Sequence, residues 1–235
     1  MLVDAGGAPA NRFDVGGNVV APWLSRRGLR RVDYLVLSTG RTDHCGGAES
    51  LLQDFAVGEL WLPEAHELGR LGRLAALAKE KGARVRRMHA GMGLETGGAT
   101  LRVLAPPREG GKRAESDACL VLSLRYGKNS LLLPSDITAG DEKRLLETQG
   151  PALSHRVLVL PRHGASTAGS EAFLDAVRPR LALLSVGPNS WRWPSDEALR
   201  RCEARGVRVL RSDREGMTSL RFFPEDWNMG WENGK

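Results

Sequence analysis

The chain has 235 residues, 34 Lys and Arg against 28 Asp and Glu, a net charge of +6 and 41% apolar residues. That length and composition exclude a disordered segment and suit one globular domain, or one large layered unit, with a sizeable buried core. The longest apolar runs, such as residues 181–186, are strand-length and far short of the ~20 residues of a membrane helix, and three distant cysteines, Cys45, Cys119 and Cys202, exclude a disulfide framework and a thiolate zinc site.

Arginine supplies most of the charge, in clusters at residues 26–27, 30–31, 84–87 and 200–211. Such a surplus favours polyanions such as nucleic acid, and it is equally what a solvated arginine-rich face would show. With no basic-then-apolar leader, the chain as given is expected to be soluble and cytoplasmic.

In chain order, residues 1–7 read as a strand running into a glycine turn. Residues 17–27 space Val20, Trp23 and Leu24 as a helix, with Asn18 as its cap, Pro22 in the first turn and Gly28 at its end. Residues 32–38 are apolar and partly β-branched, which predicts a buried strand, and residues 48–55 predict a short amphipathic helix. A strand at 59–61, a helix at 68–81 stopped by Gly82 and a strand at 83–87 complete a βαβα alternation. Strands in series follow at 99–104, 119–126 and 130–133, the last two joined by a turn at 127–129, with an exposed breaker-rich loop at 106–116. The βα alternation then resumes: helix 141–148, strand 157–160, helix 170–177, strand 181–186, helix 195–205, strand 207–211 and a last strand at 218–223. Periodicity alone predicts an α/β domain over residues 1–223 and a poorly ordered tail over 224–235.

Between the strand at 32–38 and the helix at 48–55 lies Ser-Thr-Gly-Arg-Thr-Asp-His-Cys-Gly-Gly, residues 38–47. A polar loop carrying Asp43 and His44 at the carboxyl end of a buried strand, followed by a glycine pair, suits a metal-binding or catalytic corner; it also suits a solvated loop with a helix cap. His66, His89 and His155 stand outside every motif and are expected at the surface. Trp191 and Trp193 offer flat faces to nucleobases, or pack on their own domain.

The loop resembles the metal-binding motif of the metallo-β-lactamase superfamily, most closely the form carried by the ComEC family of DNA-internalisation competence proteins, roughly Leu-Ser-His-Pro-Asp-Ala-Asp-His-Ile-Gly-Gly. On that pattern Thr39 and Arg41 stand at the first two ligand positions, while Asp43 and His44 match. Residues 116–122, beginning Ser116-Asp117, resemble the family's Asn-Asp-x-Ser-Leu-Val. Residues 131–136 resemble its Leu-Leu-Thr-Gly-Asp, with Asp136 as the bridging carboxylate. Residues 159–166 resemble its Val-x-His-His-Gly-Ser, with Arg162 in place of the first histidine and His163 in place of the second. Residues 189–194 resemble a loop that ends His-Pro in the family, with Trp193 replacing the histidine.

The resemblance implies a four-layer αββα sandwich that lacks the family's first hairpin, leaving an open sheet edge beside residues 2–4. It also implies a degraded two-metal site. One position, at Thr39, Arg41, the Ser116-Asp117 region and Asp136, is lost, because a guanidinium cannot ligate and repels a dication. The other uses Asp43, His44, Asp136 and His163 and suits one zinc or manganese ion, or none if Arg162 marks the true ligand position. Two functional readings stay open. One is a non-catalytic domain that binds DNA or a partner, with Arg41 and Arg162 as phosphate-binding forks. The other is a mononuclear metal-dependent phosphodiesterase or nuclease with Asp43 as a catalytic residue. The partner implied is DNA, together with a membrane channel portion encoded elsewhere; the chain would be membrane-associated as part of such a larger protein.

Overall fold

Short strands, the first three each followed by a loop and helical turns, pair in parallel to make the first sheet of the computed structural model: β1 (Leu2–Val3), β2 (Arg31–Val36), β3 (Ala56–Pro63) and β4 (Arg84–Met88), in that spatial order. The structure describes residues 1–7, 13–64, 69–108, 118–187 and 189–232. The stretch expected to form one domain is built from two compact units, residues 1–90 with 106–120, and residues 91–105 with 121–235. Asp117, Ser116 and His66 lie outside the described residues, as does most of the loop expected at 106–116.

Parallel neighbours need crossovers. In the first unit α1 (Ala21–Arg26), α2 (Thr42–Cys45), α3 (Ala48–Asp54) and α4 (Arg70–Glu80) lie in those connections. α4 buries Leu71, Leu74, Ala75 and Ala78, an i, i+3, i+4, i+7 stripe. With Leu51 and Leu52 of α3 and Leu60 and Leu62 of β3, these residues form one apolar cluster. Each fully buried leucine in it stabilises the fold by ~1.5–3 kcal/mol relative to exposure. Trp61, alternate to Leu60 and Leu62, is fully buried, meets Tyr34 edge-on at 5.4 Å and donates its indole N–H to Glu59 over 2.8 Å.

The helix expected from residue 17 starts differently. Gly16–Val20 is a π-helical turn that runs directly into α1, so Asn18 lies inside helical backbone and is not its cap. Asp14 does the capping: it accepts from the Gly17 N–H over 3.0 Å and from the Ser50 hydroxyl over 2.5 Å. The Ser50 hydrogen bond holds its carboxyl below the usual carboxylate range, outweighing burial.

The second unit contains a seven-stranded sheet. Its strands are β5 (Gly93–Thr96), β6 (Ala99–Ala105), β7 (Val121–Tyr126), β8 (Asn129–Leu133), β9 (Val157–Val159), β10 (Leu181–Leu184) and β11 (Arg208–Arg211), ordered β11-β10-β9-β8-β7-β6-β5. β5 to β8 form an antiparallel meander, and β8 to β11 are parallel. Helices α5 (Ala139–Gln149), α6 (Glu171–Val177) and α7 (Asp196–Glu203) occupy the parallel crossovers. Each has a side-chain cap: Thr138 in a capping box with Asp141, Ser170 accepting from the Phe173 N–H, and Ser195 from the Ala198 N–H. The fully buried Glu142 carboxylate accepts from the N–H groups of Gly169 and Ser170 and so fixes the entry to α6.

Two expectations fail in this unit. His155 is 2% exposed, not a surface residue: its Nδ1 donates to the Leu153 carbonyl over 2.9 Å, and its Nε2 lies 2.6 Å from the Ser123 hydroxyl. The stretch expected as a loose tail carries β13 (Trp227–Glu232), antiparallel to β12 (Met217–Phe222). It is ordered because the Asn129 amide donates to the carbonyls of Phe223 and Asp226, and because Trp227 and Met229 pack with Leu220 and Phe222 against buried Val157, Leu181 and Leu210. Among the described residues no helix is long and apolar enough to cross a membrane.

Candidate metal centre

In the first unit, β2 delivers the chain to buried Ser38 and Thr39, and α2 then lifts Asp43 and His44 on a single helical turn. The turn is held from below by the segment after β1. The Asp4 N–H donates to the Val36 carbonyl (2.8 Å), the Ala5 N–H to the His44 carbonyl (2.7 Å) and the Gly47 N–H to the Gly6 carbonyl (3.0 Å). Gly7 has to be glycine, since a Cβ there would fall 1.8 Å from the Thr42 carbonyl oxygen.

The same segment positions the histidine. Asp4 Oδ2 lies 2.7 Å from His44 Nδ1 and accepts the Ser38 hydroxyl at 2.7 Å, while Asp4 Oδ1 accepts the Ser38 N–H at 2.7 Å. An ionised carboxylate can only accept, so Nδ1 carries the proton and Nε2 presents its lone pair, the form in which an imidazole ligates a metal. Sequence reasoning missed Asp4. The available signal was an aspartate at a strand end just before Ala-Gly-Gly.

Arg41 precedes α2 in extended backbone, and its Nε lies 3.5 Å from Asp43 Oδ1. Thr39 is fully buried. A threonine hydroxyl in place of an imidazole is a poor ligand, and a guanidinium in place of a carboxylate cannot ligate and repels a dication, so the residues present do not fit a second ion at this corner.

In the second unit, β8 runs through Pro134 and Ser135, the latter at φ 59°, into Asp136, which is 6% exposed. β9 ends in the turn Pro161–Gly164, in which Arg162 and His163 both take left-handed backbone, at φ 48° and 52°. Two adjacent non-glycine residues in that region cost ~1–3 kcal/mol each and persist only where the surroundings hold them. Here the Arg162 N–H donates to the Ser135 carbonyl (3.3 Å), the Ser195 N–H to the Gly164 carbonyl (2.9 Å), and His163 Nδ1 to the Ser185 carbonyl (2.7 Å). A carbonyl acceptor fixes the His163 tautomer as the carboxylate fixes that of His44, again with the lone pair on Nε2. The Arg162 Nε is buried and has no hydrogen-bond partner among the described residues.

Asp43, His44, Asp136 and His163 are a group among the described residues that could hold a metal ion, two carboxylates with two imidazoles. Both imidazoles are in the ligating tautomer, so the donor set fits a divalent ion.

No family model matches the chain. ComE operon protein 3 of Bacillus subtilis (strain 168) is 26% identical over 234 residues, covering 94% of this chain and 30% of that protein. Competence protein ComA of Neisseria gonorrhoeae is 32% identical over 223 residues, covering 88% of this chain and 29% of that protein. The chain therefore spans less than a third of the length of these curated relatives. Among solved structures, the metallo-β-lactamase fold protein YhfI from Bacillus subtilis aligns with a TM-score of 0.54 at 12% identity, over 91% of this chain and 95% of that one. The chain has the metallo-β-lactamase fold and is similar over most of its length to competence proteins of the ComEC family.

Proposed function

We propose that the chain is a DNA-binding domain of the metallo-β-lactamase fold that keeps one metal position, formed by Asp43, His44, Asp136 and His163, and has lost the other. The observation that supports the kept metal position is the paired orientation of the imidazoles, each with Nδ1 committed to an acceptor on its own unit. Zinc and manganese both suit two imidazoles and two carboxylates. When bound, such an ion supplies Lewis acidity to a phosphoryl oxygen.

Arg41 and Arg162 stand at positions where the resembled family carries metal-binding side chains, an aspartate and a histidine respectively. A guanidinium binds phosphate oxygens in a fork, stays charged near neutral pH and cannot act as a base, so binding of a phosphodiester survives where hydrolysis fails. The Arg41–Asp43 contact favours this non-catalytic reading, since it occupies the carboxylate that would otherwise serve the reaction. The second reading is a single-ion phosphodiesterase in which Asp43 is catalytic; the tautomers of His44 and His163 favour it equally. For partners, the unmatched length of the relatives leaves room for a membrane channel portion, carried elsewhere in a longer protein or on another chain.

Binding of fluorescent DNA measured across salt concentrations tests the proposal. Arg41→Ala with Arg162→Ala is expected to weaken binding and to flatten the salt slope by about one per lost phosphate contact, and no cleavage should appear with manganese or zinc. An unchanged slope removes the phosphate role, and cleavage that disappears in Asp43→Asn establishes the second reading.

A further inference from the structure

The loop between β10 and α7 is folded around Asn189. Its side-chain oxygen accepts the Trp193 N–H over 3.0 Å, and its amide donates to the carbonyls of Gly187 and Trp193, each over 2.9 Å. This bracing lines up three rings. Trp191 stacks on Trp193 with centroids 5.1 Å apart and planes 24° apart, and Trp193 stacks on His163 at 5.9 Å and 20°. The stack ends in solvent, with Trp191 54% exposed. Core packing accounts for Trp193, which is half-buried, but not for an indole held out of the core at the end of an ordered stack. A cleft of about 500 Å³ beside it is lined by Trp191, Arg192, Ser166 and Asp196.

We infer that Trp191, Trp193 and Arg192 form a base-stacking platform for single-stranded DNA, with one nucleobase on the outer face of Trp191 and an adjoining phosphate on Arg192. A flat exposed indole offers each base a π-face irrespective of sequence, and a neighbouring guanidinium supplies the charge that tracks the backbone. Bases inside a duplex already have both faces covered by their neighbours, so the platform selects unpaired strands. Asp196 lines the same cleft and repels phosphate, which keeps the backbone on the Arg192 side and leaves the carboxylate an acceptor for an exocyclic amine. Because the stack begins at His163, a strand held on Trp191 is guided toward that side chain. The inference rests on the DNA reading above and adds which form of DNA is engaged and by which surface.

The test is anisotropy of a labelled oligothymidylate and of an abasic oligonucleotide of equal length, in chelator so that no ion contributes. Trp191→Ala is expected to weaken oligothymidylate binding about 5- to 150-fold, to leave the abasic strand unaffected and to keep the salt slope, while Trp191→Phe keeps most of the affinity. Equal binding of oligothymidylate by wild type and Trp191→Ala overturns the platform while leaving the DNA reading intact. So does an abasic strand that loses as much affinity, or a duplex that competes as well as single strand. No binding of any DNA by wild type overturns both.

Discussion

The two units hold their candidate histidines by different means. In the first, a side chain does it: the Asp4 carboxylate, 2.7 Å from His44 Nδ1, fixes the tautomer and adds a negative charge that strengthens Nε2 as a ligand. In the second, the backbone does it: the Ser185 carbonyl accepts from His163 Nδ1 with no charge, and the ring is placed by two left-handed residues in the Pro161–Gly164 turn. The orientation of His44 can therefore be lost through one change at Asp4, whereas that of His163 is lost only when its backbone moves.

The largest effect expected from that contrast is at Gly164, at φ 76°, where a Cβ would lie 2.8 Å from Pro194 Cβ and 2.9 Å from Leu184 Cδ2. Gly164→Ala should cost about 2–4 kcal/mol in urea denaturation and lower metal affinity with it. Wild-type behaviour would break the claim that backbone placement orients His163.

Acid should act on the second unit through His155. Burial, with nearby Arg125 adding to it, pushes this imidazole down to about 4 from 6.5, so it stays neutral when folded. The unfolded chain takes up the proton first as pH falls, so stability present above pH 6.5 is lost progressively toward pH 4, by up to about 3 kcal/mol. His155→Gln should flatten that dependence in denaturation curves; an unaltered acid limb would assign the loss to other groups.

Next in size is Asp4. Asp4→Ala should lower metal affinity about 10- to 100-fold in a calorimetric titration. Asp4→Asn, whose amide oxygen can still accept from His44 Nδ1, converts the first half into a neutral copy of the second and should lose less. If both variants lose equally, charge and not orientation is what Asp4 supplies. The smallest effect is at Arg41, whose contact with Asp43 is a partly exposed ion pair worth ~0.2–1 kcal/mol. Arg41→Ala should raise metal affinity only a few-fold.

Much of this was legible in the sequence where the signal is local. The apolar runs at 32–38 and 181–186 became β2 and β10, and the leucines at 71 and 74 fixed the buried face of α4. Asp43, His44, Asp136 and His163 stood out because carboxylates and imidazoles follow buried strands in loops that resemble the family's metal motifs. What escaped was long-range or without side-chain signature. Asp4 meets His44 across 40 residues. The orienter of His163 is a backbone carbonyl, which any residue at 185 could provide. Asn129 secures the chain at Phe223 and Asp226 from 94 and 97 residues away, a contact that no local pattern in residues 224–232 announces. His155 carries no motif, and its burial against Ser123 comes from tertiary packing alone.

The proposal that Asp43, His44, Asp136 and His163 hold one metal ion is tested most directly by elemental analysis of the purified chain beside His44→Ala and His163→Ala. The account predicts one divalent ion per wild-type chain and its loss in each variant. A wild-type chain without metal, or a His163→Ala variant that keeps the ion, would contradict it.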